Sequence, residues 1–210
     1  MSRRRTGVIA IGVGAATAVV LSLAGAKTPV VIGSAAALGI AGGVVAGRKG
    51  IGKSADEYLE SGQSKLEKND FQGATNAYSK ALIIDPELTA AYYNRGIANW
   101  NLNDYQGAIA DWGKAIEINP QDADAYSNRG AAKVKSGDTQ GAISDYTKAI
   151  EINPQYAAAY YNRGNAKDDL GDYQGAIADY SKVIEINPQH SAAYSNRGLV
   201  KDEGLGDHQG

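Results

Sequence analysis

The sequence of 210 residues contains no cysteine and only two histidines, His190 and His208. The lack of cysteine excludes disulfide bonds, thiol catalysis and thiolate metal sites, and neither histidine has neighbours at the spacing of metal ligands. Phenylalanine occurs once and tryptophan twice, whereas tyrosine occurs 13 times. We therefore expect a chain that is not an enzyme and holds no metal or cofactor, and whose tyrosines serve another purpose.

Acidic residues are absent from the first 53 positions, which carry seven basic residues: Arg3, Arg4, Arg5, Lys27, Arg48, Lys49 and Lys53. The other 14 basic residues and all 23 acidic residues lie in residues 54–210, which gives this part a charge of −9. An acidic domain repels the phosphate backbone of nucleic acids. Nucleic acid is therefore not a predicted partner.

Charged residues are also missing from two apolar stretches, residues 7–26 and 30–47. Each approaches the roughly 20 residues that an α-helix needs to cross a bilayer. The pattern predicts two membrane helices that turn at Pro29 and contact lipid through residues 7–47. Small residues at every fourth position allow helices to pack closely in lipid, which favours a homo-oligomer through Gly39, Gly43 and Gly47. The alternative is that these glycines only weaken an ordinary anchor.

The same region fits a cleaved signal peptide, because a basic start and an apolar stretch are followed by Ala24-Gly25-Ala26. Cleavage after Ala26 and a single membrane span are therefore alternatives to a retained helical hairpin. Basic residues flank the apolar region on both sides, and the positive-inside rule places both flanks of a hairpin in the cytoplasm. We expect a membrane protein whose domain beyond residue 53 is cytoplasmic.

Residues 47–54 match the phosphate-binding loop pattern Gly-x-x-x-x-Gly-Lys-Ser. Such a loop binds a nucleotide when a parallel sheet surrounds it and a neighbouring strand supplies an acidic residue. Here an apolar membrane segment precedes the match and helical repeats follow it at once, so no residues are left to form that sheet. We interpret residues 47–54 as a basic, glycine-rich linker.

An internal repeat dominates the rest of the chain. Prolines recur with a spacing of 34 residues, at Pro86, Pro120, Pro154 and Pro188. They divide the chain into units 55–88, 89–122, 123–156 and 157–190, followed by a partial unit at 191–210. The units share the pattern of residues 91–96, Ala-Tyr-Tyr-Asn-Arg-Gly, and of residues 104–109, Asp-Tyr-Gln-Gly-Ala-Ile. A fixed period of this length indicates a repeat architecture, and the pattern resembles the tetratricopeptide repeat of the bacterial type.

This resemblance implies an all-α fold, a right-handed α-solenoid of helix–turn–helix repeats, behind a membrane region at residues 1–53. Small residues recur on the first helix of each unit as Gly62, Gly96, Gly130, Gly164 and Gly198 and on the second helix as Ala74, Ala108, Ala142 and Ala176. The resemblance implies that these two sets lie face to face. Aromatic residues recur on the second helix as Tyr78, Trp112, Tyr146 and Tyr180. Large rings beside small residues interlock into a shared core. Structural repetition thus accounts for most of the tyrosine excess.

A polar pattern repeats as well. The first helices carry Arg95, Arg129, Arg163 and Arg197, and Asp111, Asp145 and Asp179 follow the first three arginines by 16 residues. The first unit has lost both partners together, since Ser61 and Ala77 stand in their places. Losing only one partner would leave an unpaired charge. The joint loss therefore favours an Arg–Asp ion pair in each unit over two separate solvated charges.

The family resemblance also implies a concave groove, lined by the first helices, for an extended peptide or a helix. The family's groove positions correspond here to a predicted partner-binding set of Tyr93, Asn94, Ile97, Trp100, Asn128, Tyr161, Asn162 and Asn165. Asn94, Asn128, Asn162 and Asn196 would form a ladder that hydrogen-bonds to a peptide backbone or, alternatively, bond only within the solenoid or to water. Trp100 is either a contact anchor or part of the packing between helices. The basic residues that hold a chaperone tail in some members are missing, because Leu59, Asp124 and Asn128 occupy those positions.

The leading functional prediction is a membrane-anchored scaffold that binds a protein or peptide partner. The alternatives are a self-associating structural membrane protein and a non-catalytic part of a larger repeat protein. The end of the chain leaves the last alternative open. Residues 201–207 contain one residue more than the matching residues 167–172, and no second helix follows them. This end is either a polar cap on the solenoid or a truncation.

Overall fold

The computed structural model describes residues 9–13, 16–20 and 52–204. Two antiparallel strands, β1 (Ile9–Val13) and β2 (Ala16–Val20), pair with Ile9 opposite Val20 and Val13 opposite Ala16. The helices of the described residues are α1 (Ala55–Glu67), α2 (Phe71–Ile84), α3 (Thr89–Asn101), α4 (Tyr105–Ile118), α5 (Ala123–Lys135), α6 (Thr139–Ile152), α7 (Ala157–Asp169), α8 (Tyr173–Ile186), α9 (Ser191–Leu199) and a π-helical turn at Val200–Gly204.

The predicted membrane helix at residues 7–26 is wrong in its secondary structure, because β1 and β2 lie within it. Val, Ile and Thr favour strands, and Gly12 weakens a helix. Among the described residues, no helix combines the length and apolar character that a membrane span needs. The predicted helix at residues 30–47 and the glycines at positions 39, 43 and 47 lie outside the described residues.

The helices form two compact bodies. The amino-terminal body contains α1–α4, and the carboxyl-terminal body contains α5–α9 together with the strand pair. Within each body every first helix packs against the second helix of its own repeat, and that second helix packs against the first helix of the next one. This stacking of helix pairs is the arrangement of an α-solenoid. In the carboxyl-terminal body, the backbone of β1 also comes close to α5 and α7.

The helix ends recur with the same 34-residue spacing as the predicted repeat units. Each second helix begins at an aspartate whose carboxylate accepts a hydrogen bond from the backbone N–H three residues later, at Asp70, Asp104, Asp138 and Asp172. Such caps satisfy donors that the first helical turn leaves free. The last three of these helices end at the asparagine that precedes a proline, since proline restricts the residue before it.

One position in each full repeat turns the chain between its two helices. Positions 69, 103, 137 and 171, again 34 residues apart, have φ values of +59°, +61°, +90° and +80°. Asparagine stands at the first two and glycine at the last two, which are the residue types that tolerate this left-handed conformation. In the fifth repeat, α9 continues into a π-helical turn at Val200–Gly204.

The core of each repeat is an aromatic ring that lies over a glycine. The rings of Tyr78, Trp112, Tyr146 and Tyr180 are at most 1% exposed. A Cβ atom added to Gly164 would lie 2.8 Å from Cε1 of Tyr180, and Gly62, Gly96 and Gly130 face Tyr78, Trp112 and Tyr146 in the same way. Burial in this core raises the pKa of the Tyr78, Tyr146 and Tyr180 hydroxyls. Rings and small residues pack together as predicted, but the atoms nearest to these glycines belong to the rings and not to the second-helix alanines that the resemblance placed opposite them.

Candidate functional site

An ion pair joins the two helices of the second, third and fourth repeats, as the sequence predicts. Each arginine is bidentate, donating from Nε to one carboxylate oxygen and from Nη2 to the other, over 2.6–2.9 Å. The pairs are Arg95–Asp111, Arg129–Asp145 and Arg163–Asp179. The aspartates are 3–4% exposed. A bidentate contact satisfies both carboxylate oxygens and fixes their geometry, so these buried charges are compensated within their own repeat.

The third partner of each aspartate differs between repeats. Asp145 also binds Lys133 at 2.8 Å, and Asp179 binds Lys167 at 2.9 Å. In the second repeat Asn99 replaces that lysine and donates to Oδ2 of Asp111 over 2.9 Å. Asp111 therefore has a single cationic partner, and burial raises its pKa by more than the hydrogen bond from Arg95 lowers it.

Each of these arginines is also held by its own helix. The guanidinium lies over the ring of the tyrosine three residues earlier at 5.5–5.6 Å, in the pairs Tyr92–Arg95, Tyr126–Arg129, Tyr160–Arg163 and Tyr194–Arg197. Arg95, Arg163 and Arg197 further donate to a hydroxyl of the preceding second helix, on Ser79, Thr147 and Ser181. The tyrosine ring, and in three of the four cases a hydroxyl as well, hold the guanidinium in a fixed position. The arginines are therefore preorganised to bind a carboxylate.

The predicted groove residues of α3 remain partly accessible. Tyr93, Asn94 and Trp100 are half-buried, whereas Ile97 is 6% exposed and belongs to the core. The ring of Trp100 lies edge-on to Tyr105 with 5.3 Å between centroids, and 6.4 Å from the ring of Trp112. Trp100 therefore takes part in the packing between α3 and α4 while the residue stays partly accessible, and its role as a contact anchor stays a prediction.

The groove residues of the carboxyl-terminal body are more deeply placed. Asn128 is 0% exposed, and Tyr161 and Asn162 are each 3% exposed, on the two helices that the β1 backbone approaches. Asp124, at one of the positions where a chaperone-tail receptor needs a base, accepts a hydrogen bond from the Tyr156 hydroxyl at 2.6 Å.

Asn165 lies at the centre of a polar cluster. It accepts hydrogen bonds from the Tyr180 hydroxyl at 2.8 Å and from Asn196 Nδ2 at 3.0 Å. Asn196 Nδ2 also lies 3.1 Å from the Tyr161 hydroxyl. This cluster connects α7, α8 and α9, so Asn165, Asn196 and Tyr161 bond within the solenoid, as the alternative interpretation of the asparagines states. Their role in binding a partner stays a prediction.

Sequence reasoning missed the third partners, Lys133, Lys167 and Asn99. All three stand four residues after the repeated arginine, which is one turn of the helix and hence the same face. That spacing is visible in the sequence and could have identified them. Within residues 9–13, 16–20 and 52–204, no group of three or more carboxylate or imidazole side chains is arranged to hold a metal ion.

Comparison with known families agrees with this architecture. The family model described as "TPR repeat" matches residues 62–103, 101–137 and 132–167, and the model described as "Tetratricopeptide repeat" matches residues 157–190. Together the matched residues include the second half of α1 and all of α2–α8. The chain therefore belongs to the tetratricopeptide-repeat family, whose members are typically scaffolds without catalytic activity.

Several solved structures are similar. A crystal structure of MamA is 33% identical, with a TM-score of 0.70, covering 73% of this chain and 83% of its own. YrrB, described as a repeat protein with an unusual peptide-binding site, is 23% identical, with a TM-score of 0.67, covering 74% of this chain and 80% of its own. The first such domain of Spaghetti, bound to an HSP90 peptide, is 24% identical, with a TM-score of 0.53, covering 54% and 90%. No curated protein matches the sequence.

Proposed function

We propose that this protein is a scaffold that binds a segment of a partner protein along the exposed face of α3. The observation that carries the proposal is the partly accessible Trp100, whose ring packs against those of Tyr105 and Trp112. A rigid aromatic side chain loses little conformational freedom when a partner covers it, and such residues often dominate the energy of an interface. Tyr93 and Asn94 extend the same accessible face.

The α3 face supports the proposal better than the corresponding faces of α5 and α7. Asn128 and Asn162 are buried, and a partner there would share its surface with β1. Peptide binding by YrrB and by the Spaghetti domain is a property of those proteins. It supports the expectation that helix pairs of this fold offer a surface suited to a peptide.

The test compares Trp100→Ala and Tyr93→Ala with the control Ile83→Ala. Ile83 is 80% exposed on α2, so its truncation removes a surface apolar side chain elsewhere in the same body. Crosslinking of the intact protein in its cells identifies a partner, and calorimetry with that purified partner measures the affinity. We expect each α3 variant to weaken binding on the order of tenfold or more, as for an interface hot spot. Equal affinities for the α3 variants and the control would contradict the proposal.

We further propose that residues 7–47 tether the repeats to a membrane with the repeats in the cytoplasm. This rests on the apolar composition of residues 7–26 and 30–47 and on their basic flanks. Extraction of membranes at alkaline pH and protease digestion of intact cells test the tether and its orientation. Release of a shortened chain beginning at residue 27 would instead support cleavage after Ala26.

A second candidate function is self-association through Gly39, Gly43 and Gly47, whose spacing suits close helix packing in lipid. The variant Gly43→Leu would place a large side chain in that contact. If self-association is the function, this variant converts oligomers in mild detergent to monomers while leaving partner binding at α3 unchanged. An unchanged oligomer distribution would argue against the role of these glycines.

A further inference from the structure

Two adjacent positions of the first helices are buried in the third and fourth repeats but accessible in the second. These positions hold Tyr93 and Asn94 in α3, Ser127 and Asn128 in α5, and Tyr161 and Asn162 in α7. The α3 pair is half-buried, whereas the α5 pair is 0% exposed and the α7 pair is 3% exposed. We call the surface that residues 127, 128, 161 and 162 form the α5–α7 face. Its burial distinguishes it from the matching surface of α3.

The strand β1 approaches the same two helices. Its backbone comes close to α5 and to α7, and all three elements belong to the carboxyl-terminal body. The sequence of β1, Ile-Ala-Ile-Gly-Val, contains no polar side chain, and such a segment is more stable when it is removed from water. The additional burial on α5 and α7 therefore coincides with an apolar segment of the same chain.

The side chains of α5 are small where β1 comes close to this helix. Ser127 stands at the repeat position of Tyr93, and Ala131 stands at the repeat position of Ile97. Both Ser127 and Ala131 are 0% exposed. Protein interiors are close-packed, so volume that a smaller side chain leaves is filled by another segment. The residues of α5 are thus suited to the close approach of a second backbone.

We propose that residues 9–13 are an intramolecular ligand of the α5–α7 face and block it against partners while they remain there. A partner that binds this face has to displace β1, and the segment best suited to do so is another extended, uncharged apolar one. Residues 9–13 cannot lie on this face and in a bilayer at the same time, so insertion into a membrane would expose the face. The inference concerns contacts within the carboxyl-terminal body, and its test involves no partner bound at α3.

The probe is a single thiol on the α5–α7 face. The chain has no cysteine, so Ser127→Cys in the full chain provides one reactive group of nearly unchanged size. Its matched control is Ser195→Cys, at the same repeat position on α9, where the serine is exposed. Labelling with a maleimide measures the accessibility of each thiol. We expect Ser127→Cys to react at least about tenfold more slowly, the factor that an opening free energy of about 1.4 kcal/mol produces.

The displacing variant carries Ile11→Asp together with Gly12→Asp. Successive side chains of a strand point to opposite faces, so one of two consecutive carboxylates meets the helices whichever face of β1 lies against them. Burying that charge is unfavourable, and the strand should leave. We expect labelling of Ser127→Cys to become on the order of tenfold faster and labelling of Ser195→Cys to stay unchanged. The thiol of Ala149→Cys, at a core position that is 0% exposed, should stay unreactive and show that the repeats remain folded.

Three outcomes would overturn the proposal. The first is equally fast labelling of Ser127→Cys and Ser195→Cys in the otherwise unmodified chain, which would mean that the α5–α7 face is open. The second is slow labelling of Ser127→Cys that the two aspartates leave unchanged, which would mean that the solenoid itself buries this position. The third is protection that increases with protein concentration, which would show that β1 of a second copy covers the face.

Discussion

The contact between a first-helix glycine and a second-helix ring makes a quantitative prediction. Gly164 and Gly198 occupy the same position of the repeat, each directly after an Asn-Arg pair. A methyl group on Gly164 would meet Cε1 of Tyr180 at 2.8 Å and Cδ1 at 3.1 Å, whereas on Gly198 it would meet nothing. The same substitution to alanine therefore has opposite expected effects at two matched positions.

The ring of Tyr180 cannot yield easily to the added methyl group. It is 0% exposed, and its hydroxyl is hydrogen-bonded to Asn165 at 2.8 Å. Overpacking a core of this kind costs about 1–3 kcal/mol, while replacing Gly by Ala inside a helix returns up to about 1 kcal/mol. We expect Gly164→Ala to lose about 1 kcal/mol of stability and Gly198→Ala to gain up to about 1 kcal/mol. The difference between the two isolates the ring contact.

Urea unfolding followed by circular dichroism at 222 nm measures both variants against the unmodified protein. Repeat proteins can unfold in parts, so hydrogen exchange of the α7 and α8 amides should accompany the melts and show where stability is lost. The reasoning is refuted if Gly164→Ala is as stable as Gly198→Ala. A second pair of single variants, Gly164→Leu and Gly198→Leu, should show a larger difference in stability, since a larger side chain cannot fit beneath the ring of Tyr180.

Two further predictions concern the ion pairs. Arg129→Ala should lower the free energy of unfolding by about 3 kcal/mol, because Asp145 is left buried beside Lys133 alone. The double variant Arg129→Ala with Asp145→Ala should lose less stability than the two single variants together. Additive losses in urea melts would contradict the ion pair. Asn99→Lys should lower the pKa of Asp111 in NMR titrations by supplying the second cation. Folding raises the pKa of Asp111, so the free energy of unfolding decreases as the pH rises from about 4 through that pKa. Asn99→Lys should make this decrease smaller. An unchanged pH profile would contradict the role of Asn99 in leaving Asp111 with one cationic partner.

The repeat boundaries and core were predictable because they depend on residue types that recur at a fixed spacing. The second, third and fourth repeats each contain a ring, a glycine, an arginine and an aspartate at the same positions, and stacked repeats place them in similar surroundings. The joint absence of Arg and Asp from the first repeat was enough to predict the ion pair, because a buried charge needs its partner. Residues 7–26 have no such repeat. Their apolar composition alone suggested a helix, whereas the structure has β1 and β2 there.

The exposure of the predicted groove was less predictable. Family position assigns Ile97, Asn128 and Tyr161 to the groove, but each is at most 6% exposed. Asn165 could bond outward or inward by its chemistry, and only its distances to Tyr180 and Asn196 show that it bonds inward. The exposure of a side chain depends on which neighbouring elements lie over it. A repeat pattern in the sequence predicts that exposure only when the neighbouring element belongs to the repeat as well.

The residues that repeat and the residues that vary have different consequences for recognition. The Arg–Asp pairs of the second, third and fourth repeats and the ring–glycine contacts are nearly the same from one repeat to the next, so they define the frame but cannot by themselves distinguish one partner from another. The first-helix face differs between repeats: position 93 is Tyr where position 127 is Ser, and position 100 is Trp where position 134 is Val. Selectivity is a difference between affinities. In the proposed scaffold we therefore expect selectivity to arise from these variable side chains, and Trp100 and Tyr93 provide the sharper test of partner choice.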